Sequence, residues 1–371
     1  MINKARYIKT LQELIRIPSL SGNEDTIGNF IFEDLEAYGF APEKDEVGNI
    51  YLELGKGRRS LMLNAHMDTV PPEGYKGDPY SGLIKSNKII GLGSSDCKAG
   101  VAAMMELVKS ITGFDGKLIL AFTVSEESVL KGAKYTKGSM YAAERYKADA
   151  CIVLEPTMYD GIPAISGGCR GRMILELKVR GKSTHSSRPH TGKNAITESV
   201  KLIDHLKEHD LMTGHYFGEE LPETLSIVGI SAGAKATNII PGECDVVVDY
   251  RTLPGRTEVV NKIKKAIEDS GVKTEIGIPY FSPGYFLPED TPTLKMLEES
   301  VRNSFRRKPR LMIALGRADS EYFYRNGTPA IVYGPGENLQ CHKPGEYALI
   351  SGAIKCTKSI GRFIQEYLSK K

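Results

Sequence analysis

Two histidines and four carboxylates stand beside apolar runs in this chain: His66, Asp96, Glu126, Glu127, Glu155 and His342. Asp68 lies two positions after His66. Imidazole nitrogens and carboxylate oxygens are ordinary donors to divalent cations. Gathered in space, these side chains would offer two histidine nitrogens, carboxylates able to bridge or cap a metal, and one spare carboxylate to act as a base. That inventory suits a hydrolase that activates water between two metal ions.

Each segment has a plainer alternative. His66 and Asp68 end the run Ser-Leu-Met-Leu-Asn-Ala-His-Met-Asp. A buried strand ending in His-x-Asp sends both side chains to one edge of its sheet, and carboxyl ends of strands are where open α/β sheets bind ligands. His66 then reads as a metal ligand and Asp68 as the partner that orients its ring, or the pair simply closes a strand. Asp96 follows Gly91-Leu-Gly-Ser-Ser. This opening imitates a dinucleotide fingerprint, but a carboxylate in its sixth position would repel a pyrophosphate. Asp96 is either a bridge between cations or a helix N-cap. Glu126 and Glu127 follow the apolar run Leu118–Val124. Adjacent carboxylates repel unless cations neutralise them, although acids also favour a helix start. Glu155 closes Cys-Ile-Val-Leu-Glu-Pro as a ligand or an exposed turn residue. His342 sits in a glycine-rich loop and draws its weight from the others.

The elements that must position these groups can be read from periodicity. Helices are expected over about Asn3–Arg16, Asn23–Tyr38 and Lys98–Ile111, the last with Val101, Met104, Met105 and Val108 on one face. Short strands are expected at Ile50–Leu54, Leu61–Leu63, Leu83–Ile84 and Ile89–Ile90. Leu118–Val124 and Cys151–Leu154 read as strands buried on both faces. This alternation predicts an α/β domain with a mostly parallel central sheet. From Gly167 the pattern changes to period two, in Met173–Val179 and Cys244–Tyr250, with helices near Asn194–Glu208 and Thr257–Ser270. The expected organisation is a discontinuous catalytic domain, residues 1–166 and 284–371, interrupted by an α+β domain over 167–283. A helix at Thr291–Phe305, a strand at Ala330–Tyr333 and a last helix from about Tyr347 complete it, the last with Ile360, Phe363, Ile364 and Tyr367 on one face.

The 371 residues carry 49 basic and 46 acidic side chains, a net charge of +3. That balance gives no support to a nucleic-acid partner. The basic cluster Arg302, Arg306, Arg307, Lys308 and Arg310 reads as a solvated helix end. The six cysteines show no metal or disulfide spacing and suit a reducing compartment. The first residues lack the apolar core of a secretory signal, and no apolar run approaches the ~20 residues of a membrane span. The expected location is the cytoplasm.

Taken in order, His-Met-Asp-Thr-Val, Gly-x-Gly-x-x-Asp-x-Lys-x-Gly, Ser-Glu-Glu and Cys-His-Lys-Pro-Gly-Glu resemble the M20 family of co-catalytic zinc hydrolases. That family holds acetylornithine deacetylase, succinyl-diaminopimelate desuccinylase, aminoacylase and carboxypeptidase G-type enzymes. The resemblance implies two Zn2+ per subunit, with Co2+ or Mn2+ open as replacements. It implies that Asp96 bridges both metals, that His66 and Glu155 complete one, and that Glu127 and His342 complete the other. Glu126 would be the general base and Asp68 the residue orienting His66. A cis peptide between Asp96 and Cys97 is implied too. The inserted domain resembles the family's lid and dimerisation domain through Gly181-Lys-Ser-Thr-His185-Ser-Ser-Arg-Pro189 and Gly192-Lys-Asn-Ala-Ile196. By that likeness His185 would reach a neighbouring subunit's site in a homodimer and stabilise the oxyanion, while Asn238 and Arg251 would hold a substrate carboxylate. A surface ion pair is the plainer role for Arg251. Arg317, in Gly-Arg-Ala-Asp-Ser, departs from the family's Gly-Thr-Ser-Asp and points to an acidic group on the substrate.

The expected activity is amide hydrolysis of an N-acyl amino acid, of the acetylornithine or succinyl-diaminopimelate type. A dipeptidase, aminopeptidase or carboxypeptidase with the same metal site is the nearest alternative. A non-catalytic binding protein would be expected to have lost a ligand or Glu126. A nucleotide-dependent enzyme using the Gly91–Gly93 turn would have to bind its cofactor when purified.

Overall fold

A computed structural model describes residues 2–127, 138–233 and 236–369. The first helix, Lys4–Arg16, starts where the Asn3 side chain accepts the Arg6 N–H, and it buries Tyr7, Leu11, Leu14 and Ile15. It stops at Ile17, before Pro18, as the conformational restriction ahead of proline requires. Helix Lys98–Ser110 is buried from Lys98 to Val108, so it is a core helix rather than a surface one.

The chain divides into two compact units. The first comprises Met1–Gly168, Leu287–Met312 and Ala318–Lys371; the second comprises Cys169–Phe286 and Ile313–Arg317.

The first unit is built on a nine-stranded sheet. Its centre is four mutually parallel strands, ordered Lys117–Thr123, Ser60–His66, Ala150–Tyr159 and Ala330–Glu337. Leu61–Leu63, Leu118–Phe122 and Cys151–Leu154 are all buried, which is the near-continuous apolar run of strands covered on both faces. Helices Lys98–Ser110 and Ile350–Ser369 pack on this sheet. Antiparallel strands, including Ile50–Leu54 and Ile162–Cys169, flank the parallel centre. The architecture is therefore α/β with a mostly parallel central sheet.

Two elements differ from the periodicity reading. The Cys151–Leu154 run is part of a longer strand, Ala150–Tyr159, so Glu155 lies inside a strand rather than at its end. Tyr347–Leu349 is a strand, because it pairs with Lys88–Ile90; the final helix begins at Ile350. Tertiary pairing overrides local helical pattern there.

The second unit holds a four-stranded antiparallel sheet, ordered Thr224–Ala232, Glu243–Thr252, Gly171–Arg180 and Thr274–Ser282. Met173, Leu175, Leu177 and Val179 alternate inward and share a core with Val246, Val248, Ile263 and Ile267. All six cysteines are free thiols, five of them buried. Among the described residues, no helix is long and apolar enough to cross a membrane.

Candidate metal centre

Adjacent parallel strands deliver their last residues to one edge. His66 ends its strand in register with Thr123, and Asn64 of the same strand pairs with Val153. Glu126 and Glu127 follow Thr123 after a turn at Ser125, whose φ of +61° is left-handed. That strained turn is held by Glu24, which accepts hydrogen bonds from the Ser125 N–H (3.0 Å) and hydroxyl (3.3 Å). Glu155 is aimed by a β-bulge. Val332 pairs with Val153 but Gly334 pairs with Pro156, so two residues, Leu154 and Glu155, oppose Tyr333 alone. Position 334 has to be glycine here, since a Cβ would lie 2.2 Å from the Leu154 carbonyl oxygen.

Asp96 precedes helix Lys98–Ser110. The N-cap is Cys97, with no side-chain cap bond, so the Asp96 carboxylate does not serve the helix end. The Asp96–Cys97 peptide is cis.

The Asp96 carboxylate is shared between two histidines. Oδ1 lies 3.1 Å from His66 Nε2, and Oδ2 lies 3.4 Å from His342 Nε2. Glu155 Oε1 stands 3.5 Å from His66 Nε2, and Glu127 Oε1 stands 2.8 Å from His342 Nε2. The result is two half-sites joined by one carboxylate. The His66 half is closed, with that ring 1% exposed, whereas the His342 side chain is 53% exposed.

Asp68 is buried and does more than face an imidazole. His66 Nδ1 donates to the Asp68 backbone carbonyl at 3.0 Å, while the nearer carboxylate oxygen is 3.4 Å away. The Asp68 carboxylate instead accepts the N–H groups of Glu126 (3.0 Å) and Glu127 (2.9 Å) and the Ser21 hydroxyl (2.5 Å). It ties three segments of the centre together.

The electrostatics fit cations. A His66 Nδ1 that donates to a carbonyl leaves the Nε2 lone pair facing two carboxylate oxygens, a repulsive arrangement unless a proton or cation lies between. Burial opposes charge on His66, but Glu155, Asp68 and Asp96 outweigh it and hold its pKa well above the usual histidine range. Hydrogen bonds to Asp96 and Glu127 push His342 up to about 11. Burial and then the Asp96 charge raise Glu127. Burial raises Glu155 to about 7, with Asp96 adding to it and His66 opposing. Glu126 is raised well above the carboxylate range by burial, then by Asp319 and Glu155. This crowding of acids around two imidazoles is what divalent cations relieve. His66, Asp96 and Glu127 offer ligand atoms all within 4.8 Å of one another. Cys97 also lies near His66 and Glu155, but burial pushes its thiol up and it donates to the Leu154 carbonyl, so it is a poor ligand.

Residues not singled out from sequence complete the surroundings. Asp319 is buried, accepts a hydrogen bond from Ser139 and acts on Glu126 through its charge. Glu24 and Ser21 fix the loops, and Glu346 binds the backbone of the Asp96 loop. Glu346 and Asp319 could have been read from their places in Cys-His-Lys-Pro-Gly-Glu and Gly-Arg-Ala-Asp-Ser; Glu24 and Ser21 carry no local signal.

The remaining candidates belong to the second unit. His185 is exposed and its Nδ1 accepts the Ser187 N–H at 3.2 Å. Its Nε2 lies 3.4 Å from the Asn238 side-chain nitrogen. Arg251 is engaged by Asp249, Nε to Oδ1 at 2.7 Å, and the same carboxylate takes Arg172 at 2.8 Å. Arg317 donates to the Tyr280 hydroxyl at 3.2 Å. Arg172, Arg251 and Arg317 thus gather near one carboxylate and one phenol.

The chain as a whole is similar to known proteins. Residues 62–366 match peptidase family M20/M25/M40. The chain is 28% identical to a succinyl-diaminopimelate desuccinylase of Pelagibacter ubique, over 97% of this chain and 98% of the relative. It is 27% identical to an acetylornithine deacetylase of Myxococcus xanthus, over 96% of each. A tripeptidase structure from Staphylococcus aureus superposes with a TM-score of 0.81 at 25% identity, covering all of both chains. Human carnosine dipeptidase 1, at 15% identity and a TM-score of 0.73 over 99% of this chain and 97% of that one, shares the fold.

Proposed function

We propose, from the premise that this chain belongs to peptidase family M20/M25/M40 and is a hydrolase, that it is a two-metal amidohydrolase of N-acyl amino acids. The observation that carries this reading is the Asp96 carboxylate, with one oxygen toward His66 and the other toward His342. Two divalent cations, assigned as zinc with cobalt or manganese as replacements, would be held by His66, Asp96 and Glu155 and by Asp96, Glu127 and His342, and would acidify water and polarise a carbonyl.

The chain's own residues do the rest. Glu126 accepts the proton of the attacking water and returns it to the leaving amine, which an amide requires because its free anion leaves too poorly. Burial and neighbouring acids raise Glu126, which suits it to hold that proton between the two transfers. Asp68 keeps Glu126 and Glu127 in place through their N–H groups. His185 donates its Nε2 proton to the oxyanion, in the site of a second copy. Asn238 and Arg251 take the substrate's α-carboxylate, where an arginine fork suits bidentate binding. Arg317 adds charge for a second acidic group. Support for these roles comes from the likeness of the surrounding segments to the family. Dimerisation is supported by the edge strand Thr224–Ala232, which exposes Val228 and Ile230.

A peptidase acting on short peptides is the second reading, favoured by the whole-chain likeness to the tripeptidase. Amine release decides between them, from N-acetylornithine, N-succinyl-diaminopimelate and several di- and tripeptides, with added zinc or cobalt and a chelator control. Chelator-sensitive release from acylated amino acids alone supports the deacylase; release from peptides selects the second reading. Silence on all substrates with two metals bound refutes both.

A further inference from the structure

The loop Gly91–Asp96 opens like a phosphate-binding turn, and its amides do converge on one carboxyl group. That group is part of the protein. The Glu346 carboxylate accepts the N–H groups of Gly93 (2.9 Å), Ser95 (2.7 Å) and Asp96 (2.9 Å). The Glu346 backbone carbonyl takes a fourth, from Gly91, at 3.0 Å. Successive N–H groups pointing into one concavity form an anion nest. Glu346 is 1% exposed, so it fills this nest from inside. Gly93, at φ +77°, lets the loop turn tightly enough; a Cβ there would lie 2.7 Å from Thr69 Cγ2.

The same contact joins two ligand-bearing loops. His342 is four residues before Glu346, and a turn in which the Glu346 N–H donates to the Lys343 carbonyl (3.1 Å) connects them. A second tie runs through Ser95, whose hydroxyl donates to the Tyr347 carbonyl (2.8 Å) and accepts the Glu337 N–H (2.9 Å). Residues 337–347, which bracket His342, are therefore bound to the loop that carries Asp96. Asp96 and His342 face each other in the same half-site.

We infer that Glu346 is a positioning residue: as the internal acceptor of the Asp96 loop's amides, it sets the separation of Asp96 from His342 and so the affinity of the His342 half-site for its cation. This rests on the metal-centre reading above. It also gives the fingerprint-like loop a purpose, since the amides that would cradle a phosphate are already taken.

The test is metal titration of the apo protein, by competition with a chromophoric chelator for zinc, in wild type, Glu346→Gln and Ser95→Ala. Glutamine presents one acceptor oxygen and an N–H2 group to three N–H donors, so it cannot reproduce the nest. Glu346→Gln should weaken one of the two zinc sites about 10–100-fold, the range for partners of metal ligands. Ser95→Ala, which cuts only the second tie, should shift the same site in the same direction. Turnover of both variants should return toward wild type at saturating metal. A merely structural role would lower thermal stability while the folded protein kept both wild-type affinities, and that result overturns the inference. Wild-type protein that takes up no zinc would instead sink the metal-centre reading, and this inference with it.

Discussion

Replacing Asp68 by asparagine changes one atom and should disable the centre out of proportion. The carboxylate accepts three hydrogen bonds, from the N–H groups of Glu126 and Glu127 and from Ser21 Oγ. Asparagine keeps one acceptor oxygen and turns an N–H2 group toward the others. Ser21 can rotate to accept from it, but a backbone N–H cannot. At least one charge-assisted bond, worth about 1.5–3 kcal/mol, is lost, and a buried N–H left unpaired costs about 1–3 kcal/mol. Together these amount to roughly 2.5–6 kcal/mol, of which a part reaches metal affinity, and they fall on the two residues that carry the His342 half-site's ligand and the base. At about 1.4 kcal/mol per tenfold, even the lower end corresponds to tens-fold weaker metal binding. Asp68→Asn should therefore bind zinc about 10–100-fold more weakly, with a fall in kcat that excess metal only partly restores, because Glu126 is misplaced as well. Competition titration and steady-state kinetics at saturating metal measure the two effects. Unchanged affinity and unchanged kcat would show that the loops hold themselves in place, and the reasoning from hydrogen bonds would be wrong.

Other perturbations probe separate links. Glu126→Gln should lower kcat about 10²–10⁴-fold, the usual scale for a general base, with metal content near wild type by elemental analysis; loss of metal would make Glu126 a ligand instead. Arg6→Leu should destabilise the protein by about 3–5 kcal/mol, because Glu106, 1% exposed and gripped by Arg6 Nε at 2.6 Å and Nη2 at 2.9 Å, is left as a buried carboxylate. Arg6→Leu with Glu106→Leu should recover most of that loss in urea unfolding followed by far-UV circular dichroism, a suitable probe for a chain without tryptophan; no recovery would deny the pair its role. His209, edge-on to Tyr250 at 6.3 Å, has its pKa lowered by burial, against the opposing pull of Glu223 and Asp210. The folded state then binds fewer protons than the unfolded one, so stability should fall as pH drops below 6.5 through the folded pKa. In His209→Gln that part of the pH dependence should flatten, and an identical slope would show that other groups dominate.

Strand endings were the most legible signal. The apolar runs before His66 and Glu126 showed where a parallel sheet would place its carboxyl edge, and parallel register does bring those ends together. Glu155 was legible as a residue beside a buried run but not as a bulge, because the extra residue is defined only against Tyr333 on a distant strand. Glu24 and Ser21 were silent for a related reason. They act through backbone amides and hydroxyls, and neither leaves a pattern in its own segment. Arg251 could have been read more fully: in Val-Asp-Tyr-Arg the acid two residues earlier lies on the same face of a strand, and Asp249 does engage it. The last helix was started too early because nothing within Tyr-Ala-Leu reveals a pairing with Lys88–Ile90.

The place of Ala330–Glu337 in the central sheet has a consequence for biosynthesis. Cys151 lines up with Ala330 across a parallel pairing, and the ~180 residues between them take roughly ten seconds to half a minute to be made at about 5–20 residues per second. During that interval Cys151–Val153 of the nascent strand have their partner Ser60–His66 on one side but lack Ala330–Val332 on the other, an apolar open edge of the kind that recruits unwanted strands. Gly334, His342 and Glu346 leave the ribosome later still. A chain stalled in this window would therefore give an aggregation-prone fragment rather than a weak enzyme, and shielding that one edge is the natural task for a chaperone acting on this protein.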